Sequence, residues 1–474
     1  MTLSEREQLE YLRKRIRGIT REIFRLFGQR FELARTIGGL KESAGLPTVD
    51  SSIENDLRQM VEEESVLMGL DPDVGQRFLT EVFRQTIQAE ISDGKNIYKP
   101  LDPTLTEIVH QARAAEAEGA RIIHLELGEP DLQISSGVIE RTIDTLRKGR
   151  SGYQATTGSW KLRDAIASYA NEAHGVDLQH ENILVSPGAR FAVFLAMASS
   201  ISWGDEVIIP SPNWGLYNQF ANYLGARVRT IRTEYNEKWS LKLADFEDSV
   251  SRSTKMIVLS HPNNPTGKIL DKATLKSIVE LASRQKITLL SDEAYSGFTY
   301  APYTSLLEFV NCKWIVISSF SHTHSMTAFR IGYAISSPEI VKKMASLQRM
   351  MIQSVPEFIQ EGATEALTSR EILDTNYRIM KNRVSEASTL LSQYPVLFHK
   401  PDGGVYIFLK RKRESETDIF DSTEFSLELL KQEGVAVCPG SVFGDRFNNF
   451  IRISLYQPKE VLFEGIRRLG EALS

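Results

Sequence analysis

The residues from Ser318 to Tyr333, SSFSHTHSMTAFRIGY, combine two groups that bind anions with one that transfers protons. Ser319 supplies a hydroxyl, and Arg330 supplies a guanidinium fork that suits phosphate. His322 lies between them, and its imidazole can accept and release a proton near neutral pH. The backbone N–H groups of Gly188, Ala189 and Arg190 can also hold phosphate, because this segment follows a strand pattern and opens a helix.

Five further residues have the chemistry to hold an aromatic ring and an amino acid. Asp292, at the end of an apolar strand in SDEAY, suits a carboxylate that keeps a pyridine nitrogen protonated and so makes the ring an electron sink. Tyr295 and Asn264 can reach an oxygen on such a ring, and Trp214 of SPNWGLY can stack on it. Arg452 of NNFIRIS is placed to bind an α-carboxylate. Each of these motifs is common alone, and their joint order favours one site.

This set resembles the fold-type-I, pyridoxal phosphate (PLP)-dependent aminotransferases of the aspartate/aromatic group, over residues 105–474. The resemblance extends to GEPD at 128–131, to YQATTG at 153–158 and to CPGSVFG at 438–444. It implies PLP as cofactor, and an amino acid and a 2-oxo acid as substrates. It also implies that Gly128 and Arg452 bind substrate, and that Tyr153 reaches the cofactor from the partner subunit of a homodimer.

The sequence departs from that family at the residue that carries the central chemistry. The family pattern S-x-S-K-x(7)-R carries a lysine that forms a Schiff base with PLP, and His322 stands at its position. No lysine occurs between Lys313 and Lys342 to replace it, so the cofactor is expected to be held without a covalent bond, as PLP or as its aminated form, PMP. The alternatives are an aminotransferase with altered activity, proton transfer by the histidine on the aminated cofactor, and a non-catalytic module that regulates or dimerises the protein. Arg190 could also bind a second substrate carboxylate, or face the phosphate or solvent.

The first 92 residues have a different pattern. Apolar residues recur with 3-4 spacing from Leu9 to Leu40, which predicts a long helix packed in coiled-coil fashion. Arg30 interrupts this seam, and a buried guanidinium needs an anion, either a carboxylate of a partner helix or a ligand. Lys41 follows on nearly the same face. Two pairs with i,i+4 spacing, Asp50 with Glu54 and Thr86 with Glu90, add carboxylates and a hydroxyl.

These residues, in this order, resemble the all-helical chorismate mutase family over about residues 5–92. The resemblance implies that chorismate is rearranged to prephenate, an intramolecular reaction that needs no nucleophile but needs a compact substrate and a stabilised ether oxygen. Its implied roles are carboxylate binding by Arg30 and by an Arg13 that reaches across from the other subunit, ether-oxygen contacts from Lys41 and Glu90, and ring-hydroxyl contacts from Asp50 and Glu54. Thr86 belongs to the same site. Ile53 stands where the family usually has arginine.

The composition sets the wider limits. A chain of 474 residues predicts more than one domain, and its net charge of −5 gives no case for nucleic acid or an anionic membrane as partner. Two cysteines and the absence of a secretory pattern at the start favour a cytoplasmic protein. No apolar run is long enough to span a bilayer, and no metal site is expected.

The elements that must position these residues fall into two domains. Residues 1–92 predict an all-α domain, residues 93–104 a linker, and residues 105–474 an α/β domain with a mostly parallel sheet, because short apolar runs alternate with helical patterns. The resemblance divides the second domain into a large subdomain at about 145–365 and a small one from 105–144 and 366–474. We therefore predict a mutase fused to an aminotransferase-type domain that serves phenylalanine and tyrosine synthesis.

Overall fold

The structure is a computed structural model that describes residues 3–43, 51–72, 74–76, 78–79, 82–83, 104–150, 152–309, 312–412 and 420–474. The chain divides into two compact units, residues 1–99 and 100–474. Most of the predicted linker, residues 93–103, lies outside the described residues. None of the described helices is long and apolar enough to cross a membrane.

The first unit is helical, as predicted. Helix α1 (Leu3–Ser43) runs for 41 residues and α2 (Ser51–Leu67) for 17. The apolar seam of α1 is exposed in the single chain, with Ile16 63% and Leu33 66% accessible, although the neighbouring Ala34 is only 1% accessible. The seam is therefore not buried within one chain. A coiled-coil seam is buried only when a partner helix covers it.

The second unit is built on a seven-stranded sheet in the order β2-β8-β7-β6-β5-β3-β4. Only β8 runs opposite to the other six strands, which confirms the mostly parallel sheet. The strand bounds are β2 Ile183–Ser186, β3 Glu206–Ser211, β4 Arg227–Arg232, β5 Thr254–Ser260, β6 Thr288–Asp292, β7 Lys313–Ser319 and β8 Gly332–Ser336.

Both faces of this sheet are covered, because alternate residues of its strands enter two different apolar cores. In β2, Ile183 and Val185 pack into one core and Leu184 into the other. Every residue of β2 and of β6 is buried, as expected for a sheet between two layers of helices. The helices of this region are α4 Ser136–Arg147, α5 Trp160–His174, α6 Ala189–Ser200, α7 Leu216–Tyr223, α8 Leu243–Ser249, α9 Lys272–Gln285, α10 Pro338–Met351 and α11 Glu357–Ala366.

A smaller group of strands and helices forms a third core. An antiparallel sheet has the order β12-β13-β10-β9, and β1 pairs with β11 in parallel. The long helix α12 packs on α14 beside this sheet. The bounds are α3 Thr104–Ala117, β1 Ile123–His124, α12 Arg370–Leu391, β9 Val396–Phe398, β10 Tyr406–Arg411, α13 Ser422–Glu433, β11 Val435–Ala436, β12 Cys438–Pro439, β13 Phe450–Ser454 and α14 Lys459–Ala472.

Candidate active site

A cavity of about 420 Å³ opens at the carboxyl ends of β6 and β7, where ligands bind in open α/β sheets. Eleven residues singled out from the sequence line it, namely Gly128, Ala189, Arg190, Trp214, Asn264, Asp292, Tyr295, Ser319, His322, Arg330 and Arg452. Residues from seven separate segments of the chain therefore meet at one place. Tyr153 does not line this cavity and is 88% exposed.

The phosphate end of the cavity is formed by Arg330 and the start of α6. Gly188 precedes α6 with φ of 87°, which favours glycine, and a Cβ on it would lie 2.6 Å from Nη2 of Arg330, so a larger residue would displace the guanidinium. The Arg330 Nη1 donates to the carbonyl of Thr327 at 2.8 Å. Burial and the charge of Arg330 lower the pKa of Arg190. An anion between the two guanidiniums would relieve both effects.

The base of the cavity carries Asp292, which is 8% exposed. Its Oδ2 accepts a hydrogen bond of 2.7 Å from the hydroxyl of Tyr217, and its Oδ1 accepts one of 3.1 Å from the backbone N–H of Ala294. Burial raises the pKa of Asp292, and these two donors oppose that rise. Tyr217 was not among the predicted site residues, although it lies three residues after Trp214 in the same motif.

His322 is stacked between two tyrosines. Its ring lies 4.4 Å from that of Tyr295 at 28°, and 6.2 Å from that of Tyr456 at 6°. Its Nδ1 is buried without a hydrogen-bond partner among the described residues. Burial first, and then the charges of Arg330 and Arg452, lower the pKa of His322 to about 4. The imidazole is therefore neutral at pH 7.

The opposite end of the cavity carries Arg452 on β13, which is 5% exposed. Its Nη1 donates to Oδ1 of Asn264 at 3.1 Å, and its Nη2 donates to the carbonyl of Glu126 at 2.5 Å. Its guanidinium carbon lies 4.1 Å from the ring centroid of Tyr406 and 5.1 Å from that of Phe443. Its Nε is buried and unpartnered among the described residues, so the guanidinium keeps donors for a carboxylate.

Aromatic groups close the remaining walls. The hydroxyls of Tyr295 and Tyr406 lie 3.0 Å apart, and a Cβ on Gly128 would come within 1.9 Å of the Tyr406 hydroxyl. The guanidinium carbon of Arg190 lies 5.5 Å from the ring centroid of Trp214. These contacts leave Trp214 and Tyr295 at the cavity surface, where both were predicted to meet a ring.

In the helical unit, the structure describes only some of the predicted site residues. Arg13 is exposed on α1, whereas Arg30 is half-buried, with its guanidinium carbon 6.0 Å from the ring centroid of Phe83. Lys41 is half-buried at the end of the same helix. Asp50, Thr86 and Glu90 lie outside the described residues, as does the side chain of Glu54, whose backbone belongs to α2.

Arg58 of α2 was not among the predicted site residues. Its guanidinium carbon lies 5.5 Å from the ring centroid of Phe83, so two cations approach the same ring. Its Nη1 donates to Oε1 of Gln76 at 3.3 Å. Its position one helical turn after Glu54 could have identified it from the sequence, because this spacing puts both residues on one face of α2.

Two family descriptions match the chain. The aminotransferase class I and II family matches residues 120–469, and the chorismate mutase type II family matches residues 12–91. The two matches do not overlap, and each falls within one of the two compact units.

Individual relatives match the second unit over nearly their whole length. The probable aspartate/prephenate aminotransferase of Aquifex aeolicus is 34% identical over 380 residues, which cover 78% of this chain and 95% of that protein. The crystal structure of aspartate aminotransferase from Thermotoga maritima has a TM-score of 0.73 at 29% identity, and covers 78% of this chain and 96% of that one. Alanine aminotransferase from Pyrococcus furiosus gives a TM-score of 0.74 at 26% identity, covering 80% and 99%.

Proposed function

The chain belongs to the class I and II aminotransferase family and carries a chorismate mutase type II domain before it, and we propose that it serves two steps of aromatic amino acid synthesis. The first domain would rearrange chorismate to prephenate. The second would act on prephenate, or on a 2-oxo acid made from it, with an amino acid as donor. The observation that carries this proposal is that the product of the first reaction is a substrate named for the Aquifex relative of the second domain.

The cavity suits PLP, which is the cofactor of this family. Gly188 leaves room for Arg330, and Arg190 adds a second cation, so the start of α6 is a cradle for a phosphate. Ser319 would donate to the same phosphate, Asp292 would hold a proton on the pyridine nitrogen, and Asn264 and Tyr295 would meet the ring oxygen. When bound there, the cofactor supplies an electron sink for the bonds of the amino acid Cα. Arg452 would hold the amino acid carboxylate at the other end.

His322 would hold the cofactor without a covalent bond. None of the described residues that line the cavity is a lysine, and imidazole cannot replace the amine as a point of attachment. The neutral ring of His322 stacks on Tyr295, so it would pack beside the cofactor and accept a proton from the substrate. The competing proposal is a mutase with a non-catalytic module, and the low pKa of about 4 favours it, since a base of that pKa is weak at pH 7.

Two assays on the full chain test the proposed function. Chorismate loss measures the first domain. Transfer of an amino group from glutamate to prephenate or phenylpyruvate, with added PLP, measures the second. Turnover in both assays supports the bifunctional enzyme. Mutase turnover without amino transfer, combined with mutase kinetics that respond to PLP, phenylalanine or tyrosine, would support the regulatory module instead.

Tyr217→Phe is expected to weaken binding of PMP about tenfold. The substitution removes a hydrogen bond to the Asp292 carboxylate, and a bond to a charged group contributes about 1.5–3 kcal/mol. Titration of the cofactor-free chain with PMP measures the effect. Tyr223→Phe is the matched control, because Tyr223 lies on the same helix and is 55% exposed. Equal affinities for all three proteins would exclude Tyr217 from cofactor binding.

We also propose that the protein is a homodimer in the cytoplasm. The exposed apolar seam of α1 needs a cover, and 3-4 spacing suits a second copy of that helix. The 88% exposure of Tyr153 agrees with a residue that acts in the partner's site. Two cysteines in a chain of 474 residues are too few for a disulfide framework, which agrees with a reducing compartment.

Ile16→Glu is expected to lower mutase activity at a fixed protein concentration. A carboxylate buried in the seam would weaken association of the helices by more than about 2 kcal/mol, and Arg13 would no longer reach the partner's site. Arg21→Glu, on the exposed opposite face of α1, is the control. Sedimentation gives the mass, with twice 53.5 kDa expected for the unaltered chain. A monomeric unaltered chain with full mutase activity would contradict the proposal.

A further inference from the structure

Behind Arg452 lies a row of three charged residues that leads to the surface. Nε2 of His124, on β1, lies 3.1 Å from Oε1 of Glu116, on α3. Its Nδ1 lies 2.8 Å from Oε1 of Glu126. The side chain of Glu116 is 43% exposed, that of His124 29% and that of Glu126 0%. The row therefore runs from solvent to a fully buried carboxylate.

Glu126 is linked to the candidate substrate site by its backbone. Its carbonyl accepts the 2.5 Å hydrogen bond from Nη2 of Arg452, and the next two residues, Leu127 and Gly128, line the cavity. The carboxylate Oε2 of Glu126 is buried and has no partner among the described residues, like the Nε of Arg452. Burial opposes the raised pKa of Arg452, while Cys438, Tyr406, Tyr295 and, as the smallest of these contributions, Glu126 raise it.

A buried carboxylate on the residue whose carbonyl binds Arg452 would compete with a ligand for that guanidinium unless its charge is balanced. His124 provides the balance. The hydrogen bond with Glu126 is the largest cause that raises the pKa of His124 to about 9, so the imidazole is a cation at pH 7. The buried pair of His124 and Glu126 is then neutral, whereas Glu116 lies at the solvent end of the row, so the charge of Arg452 remains for the ligand.

We propose that His124 balances the charge of Glu126 and so keeps the charge of Arg452 available to the carboxylate of the substrate. His124 and Glu126 are positioning residues, since neither lines the cavity. The imidazolium prevents the buried carboxylate of Glu126 from neutralising the guanidinium. This inference rests on the proposed function in one respect, the role of Arg452 as the carboxylate site.

The test is binding of 3-phenylpropanoate, a carboxylate that cannot be aminated, to the full chain saturated with PMP. His124→Gln is expected to weaken binding about tenfold or more, because it leaves the carboxylate unbalanced. Glu126→Gln and the double substitution are expected to bind within about threefold of the unaltered protein, since neither holds an unpaired charge. His180→Gln is the matched control, because the His180 side chain is 30% exposed and lies 3.1 Å from Glu181. The uncharged 3-phenylpropanamide should bind all variants equally.

If His124→Gln does not fold, a pH titration of ligand binding by the unaltered protein tests the role of His124 instead. Among the described residues, Glu116 of α3 and Glu126 are the charges that face the imidazole, while β11 and the Gln457 amide are uncharged. His124 is protonated below about pH 9 and loses its proton above it. Affinity for 3-phenylpropanoate should therefore fall as the pH passes 9, and should stay level in Glu126→Gln.

The outcomes separate the two proposals. If Arg452→Gln binds 3-phenylpropanoate as tightly as the unaltered protein, the carboxylate site itself is wrong. If binding depends on Arg452 but His124→Gln and the pH titration leave it unchanged, the role of the ion pair is wrong. Loss of affinity in His124→Gln that the second substitution does not restore would also overturn the proposal, because it would point to a structural role alone.

Discussion

His322→Lys is expected to attach the cofactor covalently and to raise amino transfer by about 10²–10⁴-fold, the range of a positioned acid–base group. Position 322 lines the cavity beside Tyr295. The burial and the two guanidiniums that lower the pKa of His322 to about 4 would also lower the pKa of an amine there. An amine with a lowered pKa is unprotonated and nucleophilic at neutral pH. The remaining residues would then act on a cofactor held as in the rest of the family.

Reduction with borohydride followed by mass measurement would show the attachment as a gain of one cofactor per chain. His324→Lys is the matched control. His324 also has a pKa lowered to about 4 by burial, but it does not line the cavity, so no attachment is expected. If His322→Lys binds cofactor covalently yet gains no amino transfer, the rest of the cavity has lost its catalytic arrangement. Failure to attach would contradict the assignment of position 322.

Amino transfer by the unaltered protein decides what the histidine does. A rate close to that of His322→Lys would make His322 a proton carrier in spite of its low pKa. No transfer in the unaltered protein, with full transfer in the variant, would leave the mutase as the working activity. In both cases Asp292 and its partner Tyr217 would still bind the cofactor ring, since that contact does not depend on position 322.

The large sheet could be predicted closely from the sequence, because apolar runs between polar helices have one stable arrangement in an α/β fold. ILVS at 183–186 is β2 without correction, and KMIVLS at 255–260 is β5 without its first residue. The cavity could be predicted for the same reason: residues that follow parallel strands meet at one edge. Asp292 and Ser319 both end such strands.

Contacts between side chains far apart in the chain could not be predicted. The hydroxyl of Tyr217 reaches Asp292 across 75 residues, and Arg452 reaches the carbonyl of Glu126 across 326. Periodicity and motif spacing carry no information on such contacts, because they depend on how the sheet and loops pack. The seam of α1 was predicted as buried from its spacing, but spacing does not say whether the cover comes from the same chain.

Arg30→Leu is expected to lower kcat/KM of the mutase by about 10²–10³, the loss typical when one preorganised donor is removed. Arg30 stands in the apolar seam between Leu26 and Leu33, so leucine there completes the seam and should leave the helix intact. A loss of activity would then report the missing guanidinium and not an unfolded domain. Arg25→Leu is the control, since Arg25 is an exposed member of an i,i+3 pair with Glu22 on the same helix.

Arg30→Lys separates charge from geometry. Lysine keeps the charge but loses the planar fork that binds a carboxylate with two parallel bonds, so we expect an activity between those of Arg30→Leu and the unaltered protein. The rate of chorismate loss measures all three variants. Binding of PMP should remain unchanged in each, because residues 100–474 form a separate compact unit. Mutase activity of Arg30→Leu within about threefold of the unaltered protein would mean that Arg30 pairs with a carboxylate of a partner helix and not with the substrate.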